Sequence, residues 1–352
     1  MKYKKIVKAK FIRKLNRFTA EVELDGEIKL AHLPTTARLR ELLIPKATCY
    51  LEEATNKNRK TPYTITSIVK NGEILNIVST VANDLVYNSI VNGEILSNLK
   101  IKDLKKEVKF SHSRFDMGFT TEDGKEGFIE VKSVNLKRNN IAMFPGSPTQ
   151  RGRKHLKELS HAKREGKIAV LVIVVLFEEM DYFTANIATD PEWSKELLNS
   201  IGEGVEIYAY NSKVKEDSIE IKEEVKVDLG YSIEKGDEKN KFLFKKDEDV
   251  LGSFKLTKVK EALENNFTRN EAEDYLLLSE VEILDKSEKS VELVISFVEQ
   301  LTSDKKLDIL KIETKENDRD KFLEKILIKI GYEELNLKDN SSRKIFKKFV
   351  DK

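Results

Sequence analysis

The chain has one cysteine, one tryptophan and no long apolar run in 352 residues. Cys49 alone cannot build an internal disulfide framework, which fits a reducing compartment and leaves the thiol as a small core residue. The longest apolar stretch, residues 168–177, is far short of a membrane span and suits a buried strand. No secretory h-region with a cleavage site is visible, so the expectation is a soluble, cytoplasmic protein with no membrane partner. The lone Trp193 reads as a core anchor rather than a platform for stacking bases. The length predicts two or three domains with ample material for cores.

Charge is present but unevenly spread. The net charge of +2 hides a front segment, residues 1–60, with 15 lysines and arginines against 7 acids. Residues 226–352 carry 26 against 29. A positive field at one end concentrates polyanions and makes their binding salt-dependent.

That front segment reads as all-β. Phe18, Ala20, Val22 and Leu24 alternate with Thr19, Glu21, Glu23 and Asp25, and Asp25-Gly26 is a hairpin signal leading to Ile28 and Leu30. Further strands are expected at 47–52, 63–69 and 74–79, with a brief helical insert at 39–43. Short strands at this spacing predict a small closed barrel of the OB type over residues 1–81. Its candidate nucleic-acid contacts are Arg13, Arg17, Arg38, Arg40, Arg59 and Lys60.

Residues 107–132 hold the chemistry. Two strand-like runs flank the Glu122-Asp123-Gly124 turn; Asp116 lies on the first, Glu130 and Lys132 two apart on the second. Residues i and i+2 of a strand share a face, so pairing of the runs brings two carboxylates and a lysine together. Hydrolysis of a phosphodiester calls for such a patch, in which carboxylates hold Mg²⁺ or Mn²⁺. The arrangement resembles the PD-(D/E)xK nuclease core. Glu107 is a further candidate ligand, and His112 reads as a turn residue. Arg114 precedes Asp116 by two. A helix opening at Thr149 places Arg151 and His155 on one face beside Lys154, and these three are candidates for contacting the phosphate.

Phe11-Ile-Arg13-Lys-Leu-Asn-Arg17-Phe, His32-Leu-Pro-Thr-Thr-Ala-Arg38, Asn58-Arg59-Lys60-Thr, Arg114-Phe-Asp116, Glu130-Val-Lys132-Ser-Val and Thr149-Gln-Arg151-Gly-Arg-Lys154-His155-Leu follow one another in order. Together they resemble the SfsA family, the sugar fermentation stimulation proteins, over residues 1–223. The resemblance implies an OB-like barrel, a nuclease-like α/β domain at 82–224, non-sequence-specific DNA binding and a regulatory role in maltose metabolism. This chain departs from the family pattern at Thr35 and Ala37, at Gly146, and at Asn88, where the helix opening near Asn83 carries an acid in the family.

Scaffold completes this domain. Leu156, Leu159 and Ala162 form the inner face of the helix, Asp190-Pro191 opens another, and 205–210 is a strand. Beyond residue 225 the pattern changes. Strands at 242–244, 250–256, 275–284 and 307–312 and helices at 291–301 and 319–330 are similar to the GNAT acetyltransferase fold over 225–352. The turn at 285–290 lacks glycine and carries Asp285 and Glu288, which repel a pyrophosphate. Acetyl-CoA is therefore not expected, and the domain reads as a degenerate module, structural or for a protein partner. Three functions fit: a DNA-binding protein with a metal-dependent nuclease site, a non-catalytic DNA-binding regulator, and an acetyltransferase joined to a DNA-binding module.

Overall fold

Ala20, Val22 and Leu24 point inward along one strand while Glu23 stays in water, and five such strands roll into a barrel. The computed structural model describes residues 1–35, 37–56, 59–111, 113–261, 273–284, 287–315, 318–335 and 343–350. His112, Asn58, the Asp285-Lys286 start of the acidic turn and Glu316-Asn317 lie outside the described residues. Two units emerge: Met1–Ala185 with Glu192–Asp228, and Asn186–Pro191 with Leu229–Lys352.

The first unit begins with β1 (Ile6–Lys14), β2 (Thr19–Leu24), β3 (Glu27–His32), β4 (Thr48–Glu53), β5 (Tyr63–Lys70) and β6 (Glu73–Asn76). Their order is β3-β2-β1-β4-β5, and β3 meets β5 in parallel at Ala31 with Tyr63 and His32 with Thr64, closing an OB-like barrel. The β2–β3 turn forms at Asp25-Gly26, with φ of 52° and 79°. Positive φ at both central residues lets the turn follow the twist of its strands. Instead of a helix, residues 39–43 make a single turn in which the amides of Leu42 and Leu43 donate to the Leu39 carbonyl. Leu39 sits at φ 49°, which helical backbone cannot continue from. Phe18, although in register with the inward residues, is 49% exposed.

The chain continues with α1 (Val81–Val91), β7 (Ile101–Phe110), β8 (Ser113–Thr121), β9 (Glu126–Val134), β10 (Leu136–Arg138) and β11 (Ile141–Phe144). There follow α2 (Gln150–Arg164), β12 (Ile168–Val175), β13 (Tyr182–Ala185), α3 (Pro191–Gly202), β14 (Glu206–Val214) and β15 (Ile219–Glu224). A mixed sheet runs β15-β14-β12-β9-β8-β7, with β9 and β14 both parallel to the fully apolar β12. This is a nuclease-like α/β layer. On one face Leu85 and Val86 of α1 pack with Met117, Ile129, Val131, Val170 and Val172. Strand alternation sends Asp116, Glu130 and Lys132 to the other face, which α2 covers. Trp193, on α3, is fully buried.

The second unit holds β16 (Tyr231–Lys235), β17 (Lys241–Lys246), β18 (Asp249–Glu261), β19 (Glu273–Ile283), α4 (Glu288–Asp304), β20 (Ile309–Lys315), α5 (Asp318–Lys329), β21 (Glu333–Leu335) and β22 (Arg343–Phe349). Its sheet order is β16-β17-β18-β19-β20-β22-β21, a GNAT-like arrangement. β19 and β20 pair in parallel only from Tyr275 with Ile309 to Leu278 with Ile312. Glu280, at φ 49°, lies where β19 shifts register against β18, and a cavity of about 350 Å³ is lined there by residues of β18, β19 and β20. Among the described residues no helix is long and apolar enough to cross a membrane.

Candidate active site

Antiparallel pairing of β8 with β9 runs from Thr120 with Glu126 to Met117 with Ile129. One step further, Asp116 stands opposite Glu130, and cross-strand neighbours share a face. Asp116 is held on both oxygens: Asn83 Nδ2 donates to Oδ1 at 2.7 Å and the Val131 amide to Oδ2 at 2.8 Å. Glu130 is 2% exposed. Its Oε1 accepts from Lys132 Nζ and from His155 Nδ1, while its Oε2 is buried without any hydrogen-bond partner.

The partner atoms fix the imidazole. A carboxylate only accepts, so Nδ1 carries the proton; Nε2 is then the acceptor for Arg151 Nε at 3.3 Å. The result is a relay of donors, Arg151 to His155 to Glu130, with Lys132 Nζ 3.3 Å from His155 Nδ1. Helical spacing of four makes Arg151 and His155 neighbours. Thr149 caps the helix, its Oγ1 accepting from the Gly152 amide at 2.9 Å. Gly152 is required there, because a Cβ would sit 2.7 Å from Thr149 Cγ2 and 3.2 Å from Trp193 Cδ1.

Burial pushes the Asp116 carboxyl above its usual range and the Glu130 charge adds to this, outweighing the Val131, Lys132 and Asn83 contributions. Burial also pushes Glu130 up, but His155 and Lys132 more than offset it and hold that carboxyl below the ordinary glutamate range.

Of the residues expected at the site, Asp116, Glu130, Lys132, Arg151 and His155 come together. Lys154 is exposed on α2. Glu107 does not join them: its exposed carboxylate lies 3.7 Å from Arg114 Nη1, and its own backbone is left-handed, at φ 57°. Asn88 is exposed on α1, and the residue of that helix that reaches Asp116 is Asn83, one turn nearer its start. Only the helix register identifies Asn83. On the barrel, Arg13 pairs with Glu21 at 2.7 Å and the Arg17 guanidinium lies 5.3 Å from the Phe18 ring centroid. Arg38, Arg59 and Lys60 are exposed and Arg40 is half-buried.

No group of three or more His, Cys, Asp or Glu side chains suited to a metal occurs among the described residues. Two carboxylates face each other here, and the orphaned Glu130 Oε2 leaves one buried acceptor lone. Mg²⁺ is commonly held by only one or two carboxylates, with waters and substrate oxygens completing its shell. The donor set therefore fits a hard divalent cation.

The model of the SfsA N-terminal OB domain matches residues 12–77, and that of the sugar fermentation stimulation protein RE domain matches residues 80–218. A sugar fermentation stimulation protein homolog from Caldanaerobacter subterraneus subsp. tengcongensis is 42% identical over 225 residues, 64% of this chain and 97% of the relative. The chain belongs to the SfsA family. A solved structure of Pyrococcus furiosus SfsA in complex with Ca²⁺ is 28% identical with a TM-score of 0.59, covering 65% of this chain and 98% of that one. SfsA likeness thus ends near the close of the first unit. A GNAT-family acetyltransferase from Streptococcus agalactiae aligns at 16% identity and a TM-score of 0.24, covering 31% of this chain and 65% of that one.

Proposed function

We propose that the first unit binds DNA without sequence specificity and hydrolyses its phosphodiester bonds with a divalent cation, Mg²⁺ or Mn²⁺, held by Asp116 and Glu130. The observation that carries this reading is the unpartnered Oε2 of Glu130 across from Asp116. The Ca²⁺ complex of the Pyrococcus furiosus relative supports it.

A bound cation supplies positive charge to the phosphoryl oxygens and acidifies a water. The chain's own residues arrange the rest. Lys132 and His155 pin Glu130 Oε1, so Oε2 is the oxygen left to bind. Asn83 and the Val131 amide fix the plane of Asp116 and leave each oxygen a lone pair. Lys132 is placed to position the attacking water or to offset charge developing on the phosphate. Arg151 extends a cationic edge toward the nucleic acid. On the barrel, the exposed Phe18 ring beside Arg17 offers a base-stacking surface next to a cation for a phosphate.

One observation favours a second reading, a DNA-binding regulator without cleavage: α1 brings an amide, Asn83, to Asp116 where a third carboxylate would tighten the cation. The role in sugar metabolism rests on the family's name. Incubating single-stranded, duplex and branched DNA with the protein and Mg²⁺ or Mn²⁺ separates the two. Cleavage abolished by Asp116→Ala supports hydrolysis, and binding without cleavage supports the regulator.

For the second unit we infer partner binding rather than acetyl transfer. Its cavity is lined by the acids Glu280, Glu282, Glu313 and Asp320 and by the cations Lys241, Lys255, Lys315 and Arg343, with Lys255 paired to Glu280 at 2.9 Å and Arg343 to Glu313 at 3.3 Å. Three of its four cations, Lys241, Lys255 and Arg343, are already paired with acids, which leaves little free positive charge for a polyanionic cofactor. Native mass spectrometry with acetyl-CoA tests this, a retained adduct counting against it.

A further inference from the structure

Where β9 leaves the active-site sheet, a cavity of about 140 Å³ opens. Its walls come from Thr35 and Ala37 of the barrel, Ser133 and Asn135 at the end of β9, and the segment through Phe144 and Gly146 that leads into α2. All of these belong to the first unit. None of the lining side chains is charged, in a chain where 35% of residues are. No lining side chain is there to pair with an ionised group, which favours a neutral ligand part.

Asn135 supplies the second observation. It is 7% exposed, lines the cavity, and its side-chain amide makes no hydrogen bond with any described residue. Neither amide atom is among the sealed-off polar atoms, so both are open to the cavity, with a donor and an acceptor free for whatever fills the space. Half-buried Phe144 stands at the same cavity, its ring held edge-on to Trp193 with centroids 4.8 Å apart. Ala37 and Gly146 are small and face each other; a Cβ on Gly146 would come to 3.9 Å from that of Ala37. A cavity of about 150 Å³ accepts benzene, so this one has room for one six-membered ring. Carboxamides pair with base edges and aromatic rings stack on base faces. Asn135 lies three residues past Lys132, one past the end of β9.

We propose that this cavity receives a single nucleobase turned out of the strand whose phosphate lies at Asp116 and Glu130, with Asn135 reading its edge and Phe144 against its ring. The position of that phosphate rests on the function proposed above. Extrusion costs least in single-stranded or mispaired DNA, so such substrates are preferred over regular duplex.

Deoxynucleosides, which carry no phosphate, test the cavity apart from the cation site. Saturation-transfer NMR on the intact chain in metal-free buffer is expected to show at least one of the four binding. Asn135→Ala is expected to weaken that binding about tenfold, and Gly146→Leu, whose backbone is unstrained and whose side chain fills the space, to abolish it. With Mn²⁺, both variants are expected to lower kcat/KM on single-stranded DNA while circular dichroism stays unchanged. Nucleosides that fail to bind, or variants that bind and cleave like the parent, overturn the proposal. Nucleoside binding lost in Gly146→Leu, in a parent that cleaves no DNA, upholds the cavity and removes only the nuclease reading.

Discussion

Asp116 and Glu130 face each other across two strands, yet their surroundings push their acidities in opposite directions. Asp116 is raised by burial and by the Glu130 charge, and Glu130 is held low by His155 and Lys132. A raised carboxyl costs the fold when ionised, and that cost disappears as pH falls through its folded value; a depressed one stabilises above its unfolded value and loses this on acidification. At pH 7, Asp116→Asn is therefore expected to leave the melting temperature unchanged or raise it, and Glu130→Gln to lower it. Both are expected to weaken Mn²⁺ binding more than a hundredfold, as read by electron paramagnetic resonance. Equal shifts in melting temperature would contradict the assignment.

Asn83 acts through Asp116. Removing an outer-shell partner commonly costs 10- to 100-fold in metal affinity, and Asn83→Ala is expected to do so. Asn83→Asp adds a third carboxylate, so the metal-free protein is expected to melt lower and to gain more on adding Mn²⁺. Scanning calorimetry with and without the ion checks both.

The relay from Arg151 through His155 predicts how DNA binding responds to salt. Arg151→Ala is expected to weaken binding to all sequences alike and to reduce the slope of log K against log salt by about one. A sequence-dependent loss, measured by fluorescence anisotropy across a salt series, would argue for base contact instead.

Alkaline pH addresses a different part of the molecule. Burial pushes the Cys49 thiol up to about 12, and burial pushes Tyr3 to about 12, the Asn76 hydrogen bond opposing it and Glu52 adding a little. From about pH 9 to 12 the unfolded chain releases these protons while the folded chain keeps them, so stability falls as pH rises. Tyr3 alone accounts for roughly 2 to 3 kcal/mol at the upper end. Denaturant midpoints at pH 8 and 11 are expected to differ accordingly, and the native thiol to resist alkylation at pH 8.5.

Two glycines are fixed by their neighbours. Gly152→Ala drives a methyl into Thr149 and Trp193, and Gly127→Ala would place one 2.2 Å from Phe119 Cζ. Each is expected to destabilise by about 1 to 3 kcal/mol in urea unfolding.

Much of this architecture is legible before folding is considered. Ala20, Val22 and Leu24 declare β2, and the unbroken apolar run declares β12, because burial imposes its period on sequence. The helices near 291–301 and 319–330 likewise form as α4 and α5. Parity puts Glu130 with Lys132, and pairing across the Glu122-Asp123-Gly124 turn adds Asp116. What parity cannot reach is any partner carried by another element. Asn83 meets Asp116 only through the packing of α1, and Asn135 gains meaning only when distant Ala37 and Gly146 close around it. Glu107, whose face parity leaves open, proves to be a left-handed residue whose side chain turns to Arg114. The expected helix at 39–43 failed at Leu39, which is left-handed too.

The barrel is shut by two rungs, Ala31 with Tyr63 and His32 with Thr64, whereas β1 and β2 share a longer ladder. So short a clasp is the place where this cylinder can unzip at low cost, parting like a sleeve along its length while the other staves stay joined. Backbone amides bordering that slit will trade their protons for deuterium ahead of those on β1.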